Sequence, residues 1–265
     1  MINHIFKKTA KENRAALVVF ISCGDPDIGF TEKLVRRVCD AGADMVELGV
    51  PFSDPMADGK SIQAASRRAA GTSVRDVLEM SARLRKAGVS NPFILFSYMN
   101  PLFKFGLEKL AAESSLSGID AWLVVDVPME ESDEILIHTR PRGIDFIPLG
   151  APTSSLDRIE KISECGSGFL YYVTVMGVTG VRNALPPEFV ERIAEVRKAS
   201  VLPVAAGFGI SNPQMASLAA RHADAVVVGS KIVDMAHDAL LSEGEAAALD
   251  KVGEFVGSLV SAMKR

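Results

Sequence analysis

Val46-Glu47-Leu48-Gly49-Val50-Pro51-Phe52-Ser53-Asp54-Pro55-Met56-Ala57-Asp58-Gly59 is the stretch whose residue types could do chemistry. A short apolar run holds one carboxylate, Glu47. It leads into a loop with two prolines, two more carboxylates and a closing glycine. Burying Glu47 beside Met45, Val46 and Leu48 penalises its charged form, so its pKa should rise unless a partner compensates. A carboxyl partly protonated near neutral pH suits general acid–base work. Asp58, beyond the loop, is expected to be wetter and to stay ionised. Two carboxylates in unlike surroundings can divide the labour. The competing reading makes Glu47 a structural group capping a loop, with Asp54 and Asp58 as ordinary turn residues.

The elements that must position these groups alternate along the chain. Apolar runs predict strands over 17–22, 44–48, 93–98, 121–127, 145–149, 169–175, 202–206 and 225–228. Helical spacing fills the intervals, with Ser73, Ser154 or Ser155, and Asn212-Pro213 as start signals. Residues 2–13 read as an extra helix covering one end, and 252–263 as a closing amphipathic helix. Continuously apolar strands imply a parallel sheet buried on both faces. Eight βα units in 265 residues, with no linker or shift in composition, predict one domain over 1–265. The expected fold is a single (β/α)8 TIM barrel with the N-terminal helix added and a short helix after strand eight. An open doubly wound sheet is the alternative.

Composition narrows the function. A net charge of -4 and a pI near 5.7 give no reason to expect nucleic acid or an anionic membrane as partner. No apolar run approaches the roughly 18 residues of a membrane span. Basic residues before 15–23 superficially resemble a signal ending in a lipid-modified Cys23, but 18–22 read as a buried strand and Gly24-Asp25-Pro26 as its turn. A cytoplasmic chain is expected. Cys23, Cys39 and Cys165 are widely spaced and read as reduced thiols. His4, His138, His222 and His237 fall on predicted helices or away from strand endings, so none is assigned to catalysis and no metal is expected. No lysine lies in a strand near its C-terminal end, which argues against an imine-forming aldolase.

In such a barrel the chemistry sits at the C-terminal ends of the strands. The last three predicted strands run into Gly180, Gly207-Phe208-Gly209 and Gly229-Ser230. Glycine lets backbone N–H groups approach a ligand and a helix N-terminus adds partial positive charge, so this corner should bind a phosphate. The alternative is glycine in ordinary tight turns.

With these motifs in hand, the chain resembles the tryptophan synthase alpha-subunit family along essentially its whole length. The resemblance is carried by 20–26 with Gly24-Asp25-Pro26, the Glu47 to Gly59 stretch, Tyr98-Met99-Asn100-Pro101, Asp126-Val127-Pro128, 168–180, Gly207-Phe208-Gly209-Ile210-Ser211 and Gly229-Ser230, in that order. It implies a barrel that cleaves indole-3-glycerol phosphate to indole and glyceraldehyde 3-phosphate. It also implies an α2β2 assembly in which indole passes to a beta subunit carrying PLP, with no cofactor in this chain. By that resemblance Glu47 is the acid/base and Asp58 the second catalytic carboxylate. Tyr171 and Thr179 line the site; Phe20, Phe96, Leu123, Leu149 and Phe208 form the indole pocket; Gly180, Gly209, Gly229 and Ser230 hold the phosphate. Protonating indole carbon 3 creates the electron sink within the substrate, so neither a lysine imine nor a metal is required.

The sequence departs from the family pattern at three places. Lys60 replaces a proline after Ala-Asp-Gly, Met176 replaces a small hydroxylated residue, and Cys23 replaces a larger apolar residue or Ala. The rival functions are a stand-alone indole-releasing lyase and a weakly active barrel that regulates its beta partner.

Overall fold

The computed structural model describes residues 1–173, 185, 188–207 and 209–264. Its strands are β1 (Ala16–Ser22), β2 (Met45–Gly49), β3 (Phe93–Ser97), β4 (Ala121–Val124) and β5 (Asp145–Phe146). They continue as β6 (Leu149–Gly150), β7 (Leu170–Val173), β8 (Val204–Gly207) and β9 (Ala225–Val228). All pair in parallel, in the order β5-β4-β3-β2-β1-β9-β8-β7-β6.

The predicted strand over 145–149 is two short pieces, and the reason is Pro148. Proline has no N–H to give a ladder. The Ile147 N–H donates to the Trp122 carbonyl at 2.9 Å, while the Pro148 carbonyl accepts from the Tyr171 N–H at 2.9 Å. Pairing thus passes from β4 on one side to β7 on the other within two residues. This segment closes the sheet into a TIM barrel of eight strand positions.

Successive side chains of a strand point to opposite faces. One set, including Leu17, Val19, Val46, Leu48 and Trp122, meets the surrounding helices in an outer core. The other, including Val18, Met45, Ile94, Leu123, Phe169, Tyr171 and Val227, fills the barrel. The predicted N-terminal helix, Ile2–Lys11, plugs the end where the strands begin. Its Ile2 is wholly buried in the inner core, and Phe6 lies 5.9 Å from Phe169, ring centre to ring centre.

The predicted start signals form. Ser73 and Asp76 make a reciprocal capping box, and Ser155 and Asn212 accept from the third N–H of their helices. Residues 99–101, which follow β3, open the helix Met99–Phe105, with Pro101 in the first turn where no donor is lost. The predicted helix after the last strand is present, but it is not short: it runs 14 residues, Ser230–Glu243.

The N-terminal rim is stapled by one device used three times. Asp44, Asp120 and Asp224 each stand just before a strand. They accept the N–H of Leu17, Phe93 and Val204, near the start of the neighbouring strand, at 2.9, 2.8 and 2.9 Å. Each also pairs with an arginine: Arg14 at 2.6 Å, Arg85 at 2.8 Å and Arg197 at 2.6 Å. The Arg14–Asp44 pair is two-pronged and nearly dry, with side chains 11% and 4% exposed. Asp44→Ala would leave the Leu17 N–H without its acceptor and would strip the half-buried Arg14 guanidinium of its two-pronged partner, leaving it Glu12 and the Ala15 carbonyl. We expect a loss of about 3 kcal/mol in urea denaturation; a loss below about 1 kcal/mol would show the staple to be dispensable.

Candidate active site

Glu47 lies on β2 between Phe20 of β1 and Ile94 of β3. Met45, two residues earlier, faces the barrel interior, so Glu47 does as well. It is 1% exposed, and its Oε1 has no hydrogen-bond partner among the described residues. Burial pushes its carboxyl up to about 8. The anticipated cause and direction both hold.

The predicted pocket residues Phe20, Leu123 and Tyr171 are buried, and Phe96 and Leu149 half-buried. Leu123 and Tyr171 belong to the barrel interior, with Phe96 and Leu149 packed against it. Phe20 and Phe96 meet edge to face, 5.0 Å between ring centres. Leu149 pairs with Tyr171 across the β6–β7 ladder. Two strand-end glycines make room for the rings: a Cβ on Gly49 would sit 2.5 Å from the Phe20 ring, and one on Gly207 2.4 Å from the Tyr171 ring.

Asp58 differs from expectation. It is 6% exposed, not wet, because the loop turns inward and delivers it to the interior just before the helix Lys60–Arg68. Turn residues say where a chain bends but not toward what. Its Oδ2 accepts from the Tyr98 hydroxyl at 3.1 Å, and its carbonyl accepts from Gln63 Nε2 at 2.8 Å. The Tyr98 oxygen also accepts from the Ala57 N–H at 3.0 Å, and the Phe52 ring lies 5.0 Å from that of Tyr98. Burial pushes the Asp58 carboxyl up to about 6, with the Tyr98 hydrogen bond opposing. Both carboxyls are therefore dry, yet they stay divided: near pH 7 Glu47 is mainly protonated and Asp58 mainly ionised. The Tyr171 phenol is raised well above its ordinary value by burial, then by the charges of Glu47 and Asp58. It faces the same space as both.

At the predicted phosphate corner, β8 and β9 are parallel neighbours with Ala206 opposite Val226, so the chain leaves both strands at the same end of the barrel toward Gly209 and toward Gly229-Ser230. Gly209 has φ +83°, a left-handed conformation that favours glycine. Gly229 is the N-cap of Ser230–Glu243 and supplies no side-chain cap to its first N–H groups. Thr179, Gly180, Phe208 and Met176 lie outside the described residues. Lys60 is exposed and opens its helix, and Cys23 is fully buried. His4 is exposed, while His138, His222 and His237 are half-buried; all four are on helices. Among the described residues no three metal-ligating side chains converge, and no helix is long and apolar enough to cross a membrane.

Tyr98 is the site residue that the sequence reading left without a role. Its position, a polar group at the end of a predicted strand, was the available signal.

A carboxyl whose pKa is raised by folding binds more protons native than unfolded, so its ionisation opposes folding. For Glu47 this cost is absent below its unfolded value of about 4.5 and complete above about 8. Asp58 adds a smaller cost between about 3.8 and 6. Glu47→Gln should therefore gain stability relative to the parent as pH rises from 5 to 8.5, by a few kcal/mol. Thermal unfolding of both proteins across that range checks it; a difference independent of pH would refute the assignment.

Comparison with known proteins follows the same direction. Residues 6–264 match the family described as Tryptophan synthase alpha chain. The chain is 45% identical to the tryptophan synthase alpha chain of Citrifermentans bemidjiense over 260 residues, 97% of this chain and 96% of that one. It is 41% identical to the Zymomonas mobilis protein of the same name over 263 residues, 98% of this chain and 96% of that one. Its fold superposes on tryptophan synthase subunit alpha from Legionella pneumophila with a TM-score of 0.90 at 34% identity, covering 99% and 97% of the two chains. The chain belongs to the tryptophan synthase alpha chain family.

Proposed function

We propose that this chain cleaves indole-3-glycerol phosphate to indole and glyceraldehyde 3-phosphate. The observation that carries the reading is Glu47: a dry carboxyl, protonated at neutral pH, with one oxygen unpartnered among the described residues, inside an apolar, aromatic-lined barrel mouth. Glu47 gives its proton to indole carbon 3. The cation that results is shared with the ring nitrogen, whose N–H donates to ionised Asp58. Glu47, now a carboxylate, takes the proton from the side-chain hydroxyl next to the ring. The carbon–carbon bond breaks, its electron pair restores the neutral indole ring, and the hydroxyl carbon becomes the aldehyde. The proton count at Glu47 returns to its start.

Phe20, Phe96, Leu123, Leu149 and Tyr171 hold the flat ring, together with Thr179 and Phe208. Gly209, Gly229 and Ser230, with Gly180, hold the phosphate through backbone N–H groups at a helix start. The family implies a beta-subunit partner. We place this chain in a cytoplasmic α2β2 assembly that passes indole to beta, where PLP resides, and assign no cofactor to the chain itself. The 50–59 loop supports a docking role: Met56 at its tip is 79% exposed, beside exposed Ser53 and Asp54.

Glu47→Gln keeps size and polarity but cannot transfer the proton. We expect indole release to fall at least about 10²-fold in protein that remains folded; activity within severalfold of the parent would remove Glu47 from this role. Adding beta subunit should raise indole release by some 30- to 150-fold, the upper part of the usual span of a coupling between sites. Full activity without beta, unchanged on its addition, would favour a stand-alone lyase.

A further inference from the structure

We infer that Tyr98 is the positioning residue that holds Asp58 facing the site, by clasping two consecutive residues of its loop with one hydroxyl. This rests on the assignment of Asp58 as the second carboxylate. The Tyr98 oxygen accepts the Ala57 N–H at 3.0 Å and donates to Asp58 Oδ2 at 3.1 Å. A phenol has a single proton, so with a lone pair taken by Ala57 that proton is directed at the carboxylate. The clasp thus orients the backbone before Asp58 and the side chain of Asp58 together, and favours the ionised form.

The anchor is itself fixed. Tyr98 is 2% exposed, follows β3 directly and N-caps the helix Met99–Phe105. The next residue, Met99, donates its N–H to Asp126 Oδ1 at 2.8 Å, tying the point to the exit of β4. The ring packs on Phe52 from the same loop. Elsewhere the loop is held at its ends, where the Val50 N–H meets the Phe96 carbonyl at 2.9 Å and Gln63 meets the Asp58 carbonyl. Those bonds fix the path of the chain; the Tyr98 bond fixes the direction of the carboxylate. Burial holds the phenol protonated, so it serves as a standing donor and not as an acid.

Tyr98→Phe keeps the ring and removes the clasp. In the complex with beta, kcat for indole release should fall about tenfold, the worth of one hydrogen bond, while KM for indole-3-glycerol phosphate stays within about twofold. Losing a donor to the charged carboxylate also raises the pKa of Asp58, so the acid limb of the kcat profile should move to higher pH. Among the described residues, the titratable groups tied to Asp58 are Tyr98, by its hydrogen bond, and Tyr171 from β7, which feels the charges of Asp58 and of Glu47 from β2, while Lys60 is exposed. Glu47 and Tyr171 ionise at higher pH, which leaves the acid limb to Asp58. In an Asp58→Asn background the same substitution should cost less than about twofold, because a residue acting through Asp58 has nothing left to position. An unshifted acid limb with kcat within twofold of the parent would overturn the inference. So would a tenfold loss that persists in the Asp58→Asn background. If the parent complex itself released no indole, the proposed reaction would fall instead.

Discussion

The hydrogen bonds by which the segment 145–150 joins β4 to β7 are the constraint on which the rest of the molecule depends. Without the Ile147 and Pro148 contacts the strands would form an open curved sheet, and its concave face would be wet. A carboxyl on that face would keep an ordinary pKa. Closure is what makes the interior dry, and dryness is what changes the chemistry of Glu47. Pro148 serves this junction well because it has a carbonyl to give and no N–H to leave stranded.

Closure also imposes a division between the two ends of the barrel. At the N-terminal rim, aspartates pair with arginines and with strand N–H groups, so each polar atom named there is matched. At the opposite mouth one acidic oxygen is left unmatched among the described residues, and glycines take the place of side chains. A folded protein holds a buried carboxyl oxygen without a partner only at a cost. The cost is limited because Glu47 can protonate, and a proton held in this way is ready to be given to a substrate.

Asp58 shows how small differences in environment separate two like groups. It is nearly as dry as Glu47, but a hydroxyl donates to it, and its pKa settles lower, about 6 against about 8. The gap is enough to place a protonated and an ionised carboxyl in one cavity at neutral pH. It arises first from the deeper burial of Glu47, then from the ordinary difference between a Glu and an Asp carboxyl, 4.5 against 3.8, and from the Tyr98 hydrogen bond. The same hydroxyl belongs to the end of a core strand, so the state of Asp58 is tied to the barrel and not only to its own loop.

The sequence alone determined the alternation of elements, because strand and helix periods are local and written in which residues are apolar. It also determined the candidate chemistry at Glu47, since an acid inside an apolar run must be either paired or perturbed. Caps such as Ser73 and Asn212 were legible for the same local reason. The tertiary structure decided what depends on contacts distant in the chain. It split the fifth predicted strand at Pro148, folded the 50–59 loop inward so that Asp58 is dry, and brought Tyr98 to it across 40 residues. No spacing within a short window records which way a loop folds or which side chain meets its tip. The register of parallel strands settles that, and it exists only once the barrel has closed.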